Sequence, residues 1–132
     1  MSYSIRLIDR KTGKTLQFDK PRNIRGSVYV QGGTTDTEIH VTYNYASWFK
    51  KGFGEDGIRT LYGKTGAEST ETLVSAIEII HRLPDLSDDE RKHFEEQGIT
   101  GYWLPTKDNA LYPLYTLLYM ALTFPEGVWD GD

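Results

Sequence analysis

The chain reads as an α+β domain: an N-terminal antiparallel sheet of about four strands, with C-terminal helices packed on one face. Three observations predict this. Residues 1–44 alternate apolar and polar side chains in short runs broken by polar or glycine-bearing turns, the period of strands with one buried face. From about residue 65 onward the apolar positions recur every three to four residues, the period of a helix. Thr65, Ser87 and Thr106 each stand where a helix N-cap belongs, the first two with a glutamate three residues on. The length, 132 residues, suits one domain over 1–132, split into a β-meander over 1–44 and a mainly helical part over 45–132.

Taken in order, Ser2 to Ile8 sets Tyr3, Ile5 and Leu7 against Ser4 and Arg6. The polar run Asp9 to Lys14, with Gly13, reads as a hairpin loop. Leu16 and Phe18 share a face of the second strand, and Pro21 is expected to end it because it has no N–H to donate. Val28 and Val30 mark a third strand, and Gly32-Gly33-Thr34-Thr35-Asp36 the next turn. In the fourth strand, Thr37 to Tyr43, the alternation turns Ile39, Val41 and Tyr43 inward and His40 and Thr42 outward. Tyr45, Trp48 and Phe49 fall at helical spacing and predict a short helix.

Thr65 then opens the strongest helix, with Leu73, Ala76, Ile77, Ile80 and Leu83 as its apolar stripe and Pro84 as its stop. Ser87 opens a short acidic helix that Gly98 can terminate. Thr106 opens the last, with Leu111, Leu114, Tyr115, Leu118 and Leu122 expected on its buried side. Pro113 costs roughly 3 kcal/mol in a helix interior, so this helix is expected to kink there or to begin there.

Composition narrows the function classes. There is no cysteine, which removes disulfides, thiolate catalysis and cysteine-based metal sites. No apolar run approaches the ~18 residues of a membrane helix, and no basic region followed by an apolar stretch opens the chain. A cytoplasmic protein with no membrane partner is the expectation. The net charge of −4 hides an asymmetry: residues 1–35 hold seven Lys/Arg against two acids, residues 67–132 four against thirteen. Such asymmetry marks an interaction surface or simply two halves of one domain that attract each other. Direct nucleic-acid binding is opposed by the net charge.

Two strings imitate phosphate loops. Gly52-Phe53-Gly54-Glu55-Asp56-Gly57 matches G-x-G-x-x-G, but it follows a helix pattern and would aim two carboxylates at a phosphate. Gly63-Lys64-Thr65 is the end of a Walker A motif, yet the leading glycine position holds Ile58. What remains there is a capped helix start, with Lys64 and the helix amides as a candidate anion site. His40, His81 and His93 have no metal-ligand spacing, and no G-x-S-x-G elbow occurs, so no catalytic, cofactor or metal residue is assigned. Aromatic residues are abundant, with nine Tyr and three Trp. Core is their default place; any beyond what the core takes would serve a binding face.

Four segments carry a resemblance: Thr42-Tyr43-Asn44-Tyr45; Gly57 to Ser69 (GIRTLYGKTGAES); Tyr102-Trp103-x-x-Thr106-x-x-Asn109-Ala110; and Gly127-Val128-Trp129-Asp130-Gly131-Asp132. Together they resemble a family of small proteins encoded by bacteriophages and prophages. The likeness covers Ser2 to Asp132 and departs at Pro113 and around Ser87 to Gly98. It implies a phage accessory product working in the host cytoplasm, and it brings no catalytic residue. The resulting expectation is a non-enzymatic protein that binds and inhibits a host protein, such as a CRISPR effector or another defence component, through Asp88, Asp89, Glu90, Tyr102 and Trp103. The alternative is a binder of a small nucleotide-like ligand, such as an immune signal, at Arg59, Tyr62, Lys64 and Thr65. A homo-oligomer is compatible with either.

Overall fold

The computed structural model describes residues 1–23 and 32–132, and it is an α+β fold. Five strands are described: β1 Ser2–Ile8, β2 Gln17–Arg22, β3 Thr34–Asp36, β4 Glu38–Thr42 and β5 Val128–Gly131. Four helices join them: α1 Ala46–Phe53, α2 Gly66–Arg82, α3 Asp88–Glu96 and α4 Lys107–Thr123. The third strand read around Val28 and Val30 lies outside the described residues.

The main sheet is antiparallel, in the order β4-β1-β5. Its centre, β1, pairs Ile5 with Ile39 on one side and Leu7 with Trp129 on the other. The sheet therefore takes one strand from residues 128–131, which the division at residue 44 left among the helices. Three residues between Gly127 and Gly131 carry no alternation long enough to announce a strand. β2 and β3 form a separate two-stranded ribbon, so Thr34 to Asp36, expected in the turn after Gly32-Gly33, are a strand instead, held by the pairing of Asp36 with Gln17 and of Thr34 with Arg22. β2 continues through Pro21 to Arg22, with a register irregularity between Gln17 and Arg22; an edge strand tolerates a residue that cannot donate. Thr37, fully buried, joins ribbon to sheet. Its amide donates to Leu16 O, its carbonyl accepts from Leu7 N, and its hydroxyl lies 3.1 and 3.0 Å from the carbonyls of Leu7 and Leu16.

One face of the sheet is buried. Tyr3, Ile5, Leu7, Ile39, Val41 and Trp129 meet Trp48 and Phe49 of α1, Leu73, Ile77 and Ile80 of α2, and Leu111, Leu114, Leu117 and Met120 of α4 in one core. Thr42, expected outward, is buried because its hydroxyl accepts the Asn44 amide and caps a short 3₁₀ turn, Tyr43–Tyr45.

The caps hold as read. Thr65 and Ser87 each form a complete capping box, with Glu68 and Glu90 reaching back, and Thr106 Oγ1 accepts the Asn109 amide. Backbone and hydroxyl donors lower the pKa of Glu68 and of Glu90 below the usual carboxylate value. α4 does not begin at Pro113 but runs through it, leaving the Asn109 carbonyl without its helical donor. Its buried face is also rotated from the expected one. Leu117, Met120 and Ala121 are inside, whereas Tyr115 and Leu122 are exposed with Tyr112 and Tyr119. α4 is apolar on most sides, so its own period does not choose a face.

Candidate functional site

The residues of the resemblance fold into two knots. At the first, β5 is enclosed between β1 and the loop before α2. Gly63 N donates to Trp129 O, and Trp129 N to Lys64 O, both at 2.9 Å. Gly66 N donates to Gly127 O at 2.8 Å and Ala67 N to Pro125 O at 2.9 Å. The Trp129 indole is buried and its Nε1 donates to Ser69 Oγ at 2.7 Å, also buried. Gly66 leaves no room for a side chain: a Cβ there would lie 2.5 Å from Phe124 O and 2.8 Å from Ala121 O.

This knot decides what Lys64 and Thr65 offer a ligand. An anion at a helix N-terminus needs free amides. Here Gly66 and Ala67 donate to the 125–127 turn, and Glu68 donates to Thr65 Oγ1. Arg59 is held too. Its Nε donates to Asp132 O at 2.9 Å, and its guanidinium lies 4.9 and 5.8 Å from the ring centroids of Tyr3 and Tyr43. Tyr62 stands beside this group with a buried hydroxyl that has no hydrogen-bond partner. Burial pushes its pKa up to about 12, with the Asp132 carboxylate adding to the rise. The structure thus brings Arg59 and Tyr62 together, but as the clamp on residues 131–132. The G-x-G-x-x-G string is the last turn of α1, a turn at Gly54 and the start of a 3₁₀ segment, Gly57–Leu61. That is not the strand and helix the dinucleotide site requires.

The second knot holds the 3₁₀ turn Gly101–Trp103 and the two residues after it. All five successive carbonyls from Gly101 to Pro105 accept a hydrogen bond from a side chain. Asn109 Nδ2 donates to Gly101 O at 3.1 Å and Leu104 O at 3.0 Å. The Tyr45 hydroxyl donates to Tyr102 O. Asn44 Nδ2 donates to Trp103 O at 3.0 Å, and Trp48 Nε1 to Pro105 O at 2.8 Å. These donors come from the 3₁₀ turn before α1, from α1 and from the first turn of α4, so three elements fix one short piece of backbone. Side-chain capture of every acceptor leaves the turn little freedom to rearrange.

What this turn presents is Trp103. Its side chain is 47 % exposed, against 4 % for Trp48 and 1 % for Trp129. Tyr102 supports it edge-on at 5.6 Å between centroids, and Tyr45 supports Tyr102 at 5.7 Å.

Beside the turn, residues 85–100 leave the body as an excursion. α3 has no buried residue. Asp85 Oδ1 accepts from Lys107 N at 2.9 Å, which ties the start of the excursion to α4. A cleft of about 330 Å³ lies at its base, lined by Asp85, Arg91, Glu95, Gly101, Asp108 and Asn109 among others. Arg91 is paired with Glu95 at 3.2 Å. Asp88, Asp89 and Glu90 occupy the exposed first turn of α3. They lie on the excursion that precedes the Trp103 turn in the chain. Lys51, which adds to the lowering of the Glu90 pKa, sits 4.8 Å over the ring of Trp48, whose indole holds Pro105. Glu90 is thereby linked, through Lys51 and Trp48, to the turn that carries Tyr102 and Trp103. The clamp donors Asn44, Tyr45, Trp48 and Asn109 were not assigned a role; three of them sit inside the strings Thr42-Tyr43-Asn44-Tyr45 and Tyr102 to Ala110.

Among the described residues no group of three or more His, Asp or Glu side chains could hold a metal ion, and no helix is long and apolar enough to cross a membrane. Comparison with protein-family models, curated proteins and solved structures returns no match.

Proposed function

We propose that the chain acts by stoichiometric binding to a protein partner, through Trp103 and Tyr102 on their clamped turn and the acidic α3 excursion beside them. The observation that carries this is the exposed Trp103 on a backbone whose five successive carbonyls are all held. Tryptophan is the residue most enriched at binding hot spots. Fixing it before the encounter removes an ordering cost of association. The surrounding acids complement a basic partner surface and speed the encounter. The resemblance to phage-encoded proteins supports reading the partner as a host protein and the outcome as inhibition. A defence component such as a CRISPR effector fits, because it holds nucleic acid in a positively charged channel. The alternative, a small nucleotide-like ligand at Arg59, Tyr62, Lys64 and Thr65, has less support, since the amides and the guanidinium there already have partners.

The experiment is to recover the partner from the host on tagged protein and titrate its activity with the purified chain. Complete inhibition at a fixed molar ratio is expected. Trp103→Ala should weaken binding by about 30-fold or more, the effect of losing a hot spot worth about 2 kcal/mol. Reversing Asp88, Asp89 and Glu90 together should slow association more than it speeds dissociation. Inactivation by sub-stoichiometric protein that grows with time would replace this reading with an enzymatic one.

A further inference from the structure

The exposed aromatic residues of α4 border a second surface, away from the Trp103 turn. Tyr112, Tyr115 and Tyr119 are each more than two-fifths exposed. With Phe18, Arg22 and Asn23 of the ribbon, and Thr116 and Met120 of α4, they line a groove of about 480 Å³. That volume lies in the range of small-molecule sites, roughly 300–1,000 Å³. Half of its lining residues are aromatic, and two of the rings are held in place: Tyr119 packs edge-on against Phe18 at 5.8 Å, and the Tyr115 hydroxyl is bonded to His81 Nε2. Three tyrosines over seven residues of helix extend roughly 10 Å, the length of a nucleoside rather than of a single ring.

One charged group stands among these rings. Arg22 has its guanidinium 5.9 Å from the Phe18 ring centroid. Its Nη2 reaches Asp19 at 3.1 Å, but its Nε is buried without a hydrogen-bond partner among the described residues. A buried donor left unmade costs about 1–3 kcal/mol, more on a charged group, and no acceptor among the described residues meets this nitrogen. The Arg22 side chain as a whole is 42 % exposed, so an anionic oxygen in the groove can pair with its guanidinium, and planar rings beside it would stack on a base.

We infer that the groove between α4 and the β2–β3 ribbon binds a planar aromatic anion of mononucleotide size, its ring on the tyrosines and its anionic group on Arg22. The site is separate from the Trp103 turn and does not depend on the protein-binding reading. A long polyanion is disfavoured by the net charge of −4; a single nucleotide is not.

The test is calorimetric titration of the full chain with AMP, GMP, CMP and UMP, with adenosine and with inorganic phosphate. At least one mononucleotide should bind saturably with Kd below about 1 mM, adenosine at least about tenfold more weakly than AMP if AMP is that ligand, and inorganic phosphate not measurably. Arg22→Gln should remove the preference for the nucleotide over its nucleoside and leave nucleoside binding unchanged. Tyr119→Ala should weaken both. Asp19→Asn, which releases Arg22 from its counter-ion, should tighten the nucleotide and provides a second reading if Arg22→Gln fails to fold. Failure of all four mononucleotides to bind saturably in that range overturns the inference. So does equal affinity for nucleotide and nucleoside, or a preference that survives in Arg22→Gln and does not grow in Asp19→Asn.

Discussion

Around Trp129 and around Trp103 the chain uses the same device and reaches opposite results. In both places an aromatic-rich piece of backbone is held by donors and acceptors from distant segments. Around Trp129 the indole itself is inside, bonded to Ser69, and Gly66 admits no side chain between α2 and the end of α4. Around Trp103 the backbone is held just as firmly, through Asn44, Tyr45, Trp48 and Asn109, but the indole points to solvent. A fixed backbone around a buried side chain is a fold lock; a fixed backbone beneath an exposed one is a platform. The distinction lies in where the side chain goes, which motif strings do not tell.

Substitutions should separate the two. Trp129→Ala should cost the most, about 3–5 kcal/mol, as a large buried side chain lost from a close-packed core; its urea midpoint measures this. A cost under about 1 kcal/mol would mean that the first knot is not a lock. Asn109→Ala removes two hydrogen bonds to the 101–105 backbone and should cost about 1–3 kcal/mol. It should also weaken partner binding without touching the partner, because the turn is no longer ordered beforehand. Unchanged affinity beside a real loss of stability would show that the clamp serves the fold alone.

Tyr62→Phe gives a smaller and pH-dependent effect. Its hydroxyl is buried without a partner, so its removal near neutral pH should leave stability unchanged or raise it by up to about 1 kcal/mol. The folded-state pKa of about 12 lies above the ordinary 10.0. Stability linked to the neutral phenol is therefore present below pH 10 and falls as pH rises from 10 toward 12. The denaturation midpoint of Tyr62→Phe should fall less than that of the parent between neutral pH and about pH 11. The smallest effect on stability belongs to Trp103→Ala, within about 0.5 kcal/mol, although its effect on binding is the largest expected. A loss of several kcal/mol there would make Trp103 a structural residue and break the comparison.

What the sequence disclosed of this arrangement follows the range of the interactions. Thr65, Ser87 and Thr106 were legible as caps because a cap is complete within four residues. Strands β1 and β4 were legible from their alternation. β5 was not, since Val128 to Gly131 obtains both its neighbours from residues at least 60 positions away. The buried face of α4 was misjudged at Tyr115 and Leu122 because rings and leucines surround that helix on nearly every side. At the candidate site, Tyr102 and Trp103 were marked by type alone. That one would be exposed and the other half-buried depends on Asn44, Tyr45 and Asn109, whose roles appear only once the segments meet.

The pairing of β1 with β5 also bears on how the protein is made. Ser4 N donates to Asp132 Oδ1, 128 residues later. At synthesis rates of about 5–20 residues per second, β1 is made roughly 6–25 s before β5. Through that interval the growing chain has β4 but not the strand on the other flank of β1, and α2 lacks the Gly127 carbonyl that receives its first amide. The apolar face of the half-built sheet is then a substrate for chaperones and proteases. A stop codon between residues 124 and 128 would leave the cell a polypeptide with every described helix and no way to close its sheet.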